Sequence, residues 1–279
     1  MTREVGDTRE RSLAHWSEKG RDEMDAFYRV ATLDYRMLAE AWDWWTFFED
    51  RRQIRSPVRI LDVACGSGKF PTALHRHTRL GESANDSLLL DLLDPSPFSL
   101  REARAALRTP MVGGADFECG LEDLPPTATG YDVVWAVHAL YALPESQLAN
   151  GVSAFLRALH PDGLGFVAHA TKSSHYLAFY DAYLAHHRPD GTPFTSAETV
   201  AAAFRAAGAR VETRTIHYDQ VIDDEEVLEG FLQRCLFDST LSLAQMRADE
   251  ALGAYLARCE TTDGRMRFRQ DVSMLFIRR

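Results

Sequence analysis

Residues 60–70, ILDVACGSGKF, place an acid, Asp62, and two glycines, Gly66 and Gly68, at the end of an apolar run. Glycine carries no Cβ and tolerates positive φ, so a turn built on it lets backbone approach a ligand closely. Two familiar phosphate-binding loops are excluded by the neighbours. A P-loop would need glycine at Val63 and serine or threonine at Phe70, and a dinucleotide loop would need glycine at Pro71. Asp94 closes a second apolar run, residues 87–94. A carboxylate only accepts hydrogen bonds, so it can take two hydroxyl donors at once; alternatively Asp94 caps a helix starting near Pro97. Glu122 and Asp123 follow a third run, and His138 ends a fourth, YDVVWAVHAL. An imidazole there can accept a proton near neutral pH or serve as a hydrogen-bonded pocket wall, and both readings stay open. Tyr141, three residues on, lies on the same helical face. His169 reads as an ordered core histidine, and His186 and His187 as solvated residues at a helix C-terminus, where cations are favoured.

These residues need a scaffold, and the pattern predicts one. Short apolar runs at 58–64, 87–94, 115–120, 131–140 and 163–171 alternate with helical segments at about 69 onward, 97–107 and 145–159. Near-continuous apolar strands between helices mean a parallel sheet covered on both faces, with ligands at the carboxyl ends of its strands. Helices at 175–186 and 197–207 and a strand at 209–216 follow. Two helices, 227–236 and 244–259, then precede a closing strand. The expected fold is α/β, a doubly wound, seven-stranded, mostly parallel sheet. Residues 1–55 are expected to form a helical lid, and 56–279 the main domain with an insertion at about 223–262. The lid region carries Trp16, Phe27, Tyr28, Tyr35, Trp42, Trp44, Trp45, Phe47 and Phe48. Most of that stripe is expected to pack on the main domain, and a few rings to cover a pocket.

The ordered set of motifs resembles the class I S-adenosylmethionine-dependent methyltransferases. The first motif is Asp62, Ala64, Gly66 and Gly68, with Ala64 where the family's first glycine stands. HPDG at 160–163 stands for its Lys-Pro-Gly-Gly turn. The resemblance implies an S-adenosylmethionine cofactor held by Asp62, Ala64, Cys65, Gly66, Gly68, Asp94, Pro95, Leu121, Glu122, Asp123, Val137 and Tyr28. Asp94 would take the ribose hydroxyls, and the 121–123 segment the adenine. His138 would stand beside the transferable methyl as the candidate catalytic residue. From 131 onward the chain also looks like histamine N-methyltransferase. That likeness puts His138 and Gln270 where the family has amide side chains on the substrate. Tyr141 and Tyr35 join them as substrate contacts, and Asp34 stands for an N-terminal acidic contact. Histidine in place of an amide argues against histamine itself.

Composition narrows the partners. With 31 Lys and Arg against 41 Asp and Glu, the net charge is −10, so a nucleic-acid backbone is repelled on average. The acceptor is therefore expected to be a small molecule. No spacing suggests a metal site, and Cys65, Cys119, Cys235 and Cys259 lie far apart in sequence, as reduced thiols of a cytoplasmic protein would. No membrane association is expected, and the oligomeric state stays open, with a monomer favoured. The main alternative to methyl transfer is a cyclisation or rearrangement on the same fold.

Overall fold

A computed structural model describes residues 7–15, 18–85, 87–141 and 143–279, so Trp16 lies outside the described residues. Helices α1 (Asp7–His15), α2 (Arg21–Glu40) and α3 (Trp44–Ile54) come first. Then β1 (Val58–Val63), α4 (Lys69–His77), β2 (Leu88–Leu93), α5 (Pro97–Ala106), β3 (Met111–Phe117) and β4 (Tyr131–Val137) alternate. They are followed by α6 (Glu145–Ala158), β5 (Leu159–Ala170), α7 (His175–His187), α8 (Ala197–Ala206) and β6 (Arg210–Ile222). The chain closes with α9 (Glu225–Leu236), α10 (Leu243–Ala248), α11 (Glu250–Cys259) and β7 (Met266–Arg278). The sheet order is β3-β2-β1-β4-β5-β7-β6, with β7 antiparallel to both neighbours. The order reverses between β1 and β4, which opens a crevice at their carboxyl ends. The α/β, seven-stranded, mostly parallel sheet is the one expected.

Strands β1, β2 and β4 are buried almost throughout, which is why they read as unbroken apolar runs. One face packs under α3, α4 and α5 around Trp44, Phe70 and Trp135. The other packs under α6 and α8 around Phe155 and Phe204. A third cluster joins α7, α9, α10 and α11 to the far ends of β6 and β7. Trp44 meets Phe166 edge-on at 4.8 Å and Phe70 at 5.4 Å, so Trp44 and Phe48 of α3 are core and Trp45 and Phe47 pack against it. The pocket-facing rings belong to α2.

Local differences from the expected elements have physical causes. β3 runs seven residues from Met111, earlier than 115–120, because pairing with β2 outweighs the poor strand propensity of Gly113 and Gly114. The Asp91 carboxylate accepts from Ala115 N at 2.7 Å where that register shifts. The helix expected at 244–259 is two helices, because Asp249 caps a new start by accepting from Ala251 N and Leu252 N. β6 and β7 pair over thirteen residues, far beyond 209–216, and their extension carries the helical insertion.

Candidate active site

The turn after β1 and the ends of β2 and β4 form the wall of one cavity. Ala64, Gly66 and Gly68 all have positive φ, at 51°, 51° and 70°. The backbone therefore folds back on itself directly after the strand. At Ala64 this costs about 1–2 kcal/mol, which alanine, the smallest side chain, makes bearable. Gly68 does not line the cavity. It caps α4, and a Cβ there would stand 3.1 Å from the Ala103 backbone, so its role is close packing of α4 on α5. Ser96, not Asp94, caps α5, its hydroxyl accepting from Ser99 N at 3.3 Å. That frees Asp94 for the cavity. Asp94 Oδ2 accepts from Gly66 N at 3.0 Å and Oδ1 from Ser96 N at 2.9 Å, and each oxygen keeps a further lone pair. Burial raises its pKa, while those amides and the Ser99 hydroxyl pull it down.

Asp62 lines the same cavity, and its Oδ2 is buried with no hydrogen-bond partner. Burial pushes its carboxyl up to about 8, opposed by the Trp135 indole and reinforced by the Asp94 charge. An orphaned buried carboxyl oxygen is costly and calls for a ligand partner. Glu122 pairs with Arg9 of α1 at 2.5 Å, so α1 roofs this end of the cavity. Asp123 does not line it.

The cavity continues past Val137 into a chamber lined by Tyr35, His138, Tyr141, Tyr176 and Phe194. His138 also has φ +51°, unusual for a residue with a Cβ. Its Nδ1 shares a 2.6 Å hydrogen bond with the Tyr141 hydroxyl, and its Nε2 is buried without a partner. Burial, with His169 adding, pushes the imidazole down to about 3. The ring is therefore neutral near pH 7 and suited to one hydrogen bond with a ligand rather than to storing a proton. This favours the pocket-wall reading. His169, stacked at 4.1 Å on Tyr141, is a core residue held by the Thr195 carbonyl at 2.8 Å.

Of the expected site residues, the cavity brings together Tyr28, Tyr35, Asp62, Ala64, Cys65, Gly66, Asp94, Pro95, Leu121, Glu122, Val137, His138 and Tyr141. Gln270 corrects the expectation. It is fully buried and absent from the cavity wall, because the β6–β7 pairing turns its side chain toward Gln220. Asp34 lines the cavity from α2. Arg234, Cys235 and Phe237, from the insertion, also line it. No spacing could have found those three, since the long β6–β7 hairpin brings them to the site. Among the described residues no three His, Cys, Asp or Glu side chains converge as a metal site, and no helix is long and apolar enough to cross a membrane.

Residues 60–163 match the family model of the methyltransferase domain. No curated protein sequence matches the chain. Among solved structures it is similar to a candidate methyltransferase from Bacillus halodurans, at 15% identity and TM-score 0.55 over 84% of this chain and 98% of that one. It is also similar to magnesium protoporphyrin IX methyltransferase from Synechocystis, solved with S-adenosylhomocysteine, at 11% identity and TM-score 0.55 over 95% and 97%. An O-methyltransferase family protein from Burkholderia thailandensis gives 17% identity and TM-score 0.53 over 73% and 59%. Fold and matched segment agree: residues 60–163 match a methyltransferase domain, and the chain has the α/β sheet fold of these solved methyltransferases.

Proposed function

We propose that the protein uses S-adenosylmethionine to methylate a nitrogen or oxygen of a small molecule, without a metal ion. One observation carries this reading. The glycine turn with Asp62 and Asp94 opens directly into an aromatic chamber through Val137 and His138, within a single cavity. The matched methyltransferase domain supports the same cofactor. When bound, the cofactor supplies a sulfonium-activated methyl group and so brings its own driving force.

The chain's residues then have binding and aligning tasks. Asp94, fixed by two backbone amides, accepts from the two ribose hydroxyls with its remaining lone pairs. The unpartnered oxygen of Asp62 receives the ammonium of the methionine portion. Leu121 and Glu122 border the adenine, and Tyr28 closes the methionine end from α2. His138 Nε2 offers the acceptor one hydrogen bond, and the surrounding rings exclude water. Alignment and dryness of this kind lower the barrier to in-line transfer.

Asp94→Ala removes two charge-assisted hydrogen bonds, so S-adenosylhomocysteine affinity should fall by about 3 kcal/mol, or roughly 100-fold. Calorimetry giving unchanged affinity would refute the ribose assignment. Labelled methyl appearing on no product, despite turnover, would instead favour cyclisation.

A further inference from the structure

At the outer edge of the sheet, Arg210 on β6 stands directly opposite Arg278 on β7. Like charges in such a cross-strand pair repel each other and weaken the pairing. Glu212 and Arg214 follow Arg210 on the same face of β6. Glu212 is taken up by Arg214 at 2.8 Å, whereas the Arg210 guanidinium makes no hydrogen bond or ion pair among the described residues. Arg278 is anchored without being neutralised. Its Nη1 donates to the main-chain carbonyls of Gly163 at 2.8 Å and Asp162 at 3.3 Å. Burial, and then the charges of Arg51 on α3 and Arg210, push the Arg278 guanidinium down, and the Asp162 charge opposes them. In a chain of net charge −10, this crowd of guanidiniums is a local exception with a local cost.

The arginines border a groove of about 380 Å³, floored by Trp42, Leu164 and Phe276. The Trp42 indole meets the Phe276 ring edge-on at 4.9 Å, and the Arg214 guanidinium lies over Phe276 at 5.2 Å. Such a volume suits a small molecule. The groove shares no residue with the cavity of the candidate active site. Leu164 pairs with Val133, and Val133 with Ile60, toward the amino-terminal ends of β4 and β1. The groove therefore lies at the other end of the strands from the glycine turn and His138.

The walls specify a ligand chemistry. Guanidiniums grip a carboxylate or phosphate through paired N–H donors, and an aromatic floor takes a planar ring. Arg278 commits one nitrogen to the carbonyls and Arg210 none, so donors for an oxyanion remain on both. We propose that the groove is a second binding site, for a small aromatic oxyanion whose carboxylate or phosphate lies between Arg210 and Arg278 and whose ring rests on Trp42 and Phe276. An anion there turns the cross-strand repulsion into attraction, because both guanidiniums then face one negative charge. Nothing in this site depends on what occupies the cavity.

The test uses 2-naphthoate and phenyl phosphate as aromatic oxyanions, acetate and inorganic phosphate as ring-free anions, and 2-naphthalenemethanol as an uncharged ring. Binding is measured by calorimetry on the full chain at low salt. Each aromatic oxyanion should bind about tenfold tighter than the ring-free anion with its head group, and 2-naphthoate about tenfold tighter than the alcohol. Arg210→Gln should weaken both aromatic oxyanions about tenfold, and Arg210→Glu more. Arg205→Gln, on α8 outside the groove, should leave them unchanged. Binding should weaken as salt rises and should persist in excess S-adenosylhomocysteine. Without ligand, Arg210→Gln should melt about 1–2 °C higher at low salt because a like-charge pair is gone, which separates lost binding from lost folding. Equal affinity for aromatic and ring-free anions, affinity unmoved by Arg210→Gln, or binding displaced by S-adenosylhomocysteine would overturn the proposal.

Discussion

The two strand-end residues that border the chamber show how environment overrides residue type. His138 looks like a base by type, yet burial keeps it neutral and leaves one nitrogen free for a ligand. His138→Ala should therefore lower turnover about tenfold, the worth of one oriented hydrogen bond, with S-adenosylhomocysteine affinity unchanged. Equal losses in both, measured by steady-state kinetics and calorimetry, would make it merely structural. Asp62 gives a stability prediction. Its folded pKa, about 8, lies above the ordinary 3.8, so the folded state holds the extra proton. Stability is then greatest below about pH 4 and is lost as pH rises toward 8. Asp62→Asn cannot ionise, so in the ligand-free protein its Tm advantage over wild type should grow by a few degrees from pH 5 to pH 8. A gap that stays constant across that range would sink the assignment.

The helices of the first 55 residues divide into two roles that composition alone did not separate. α3 buries Trp44 and Phe48 in the core, whereas α2 lends Tyr28, Asp34 and Tyr35 to the cavity. α1 is latched across the cavity by its polar residues. Arg11 donates to the Leu236 carbonyl at 3.0 Å and the Tyr180 hydroxyl at 2.5 Å, and Arg9 pairs with Glu122. Leu13 of α1 is 37% exposed, so polar contacts carry this latch. Arg11→Ala should loosen α1 by about 1–2 kcal/mol, about tenfold in opening. Faster amide exchange in α1 and faster S-adenosylhomocysteine release are expected, with the global Tm little changed. A slowed or unaltered release rate would mean that α1 does not gate the cavity.

Across the whole molecule, the site is assembled from segments that are distant in sequence, from α1 to the insertion between β6 and β7. A ligand that bridges them favours the folded state by mass action. S-adenosylhomocysteine at about 100 times its Kd should add roughly 2.7 kcal/mol and raise Tm by about 5 °C. Differential scanning fluorimetry checks this, and Asp94→Ala should abolish most of the rise. The net charge of −10 makes the field repulsive to polyanions and fits a small acceptor.

What the sequence determined by itself was local in origin. Alternating apolar runs and helices dictated the sheet, because strands buried on both faces leave an unbroken apolar signature. The glycine turn, Asp94 and His138 were legible because they sit at strand ends, where the topology brings ligands. Two of the readings needed the tertiary structure. Gln270 resembled a substrate contact, but its side chain donates inward to Gln220, one residue behind the cavity wall. Asp34 stood in sequence only as the acid that a resemblance offered for an N-terminal contact. Only the packing of α2 against β6 and α7 aimed four successive hydrogen bonds, and the Tyr176 hydroxyl, at its carboxylate. A hydrogen-bond chain among residues 34, 176, 220, 270 and 174 has no local pattern, since its members meet through long-range contacts, and burial rather than residue type then sets the charge each one carries.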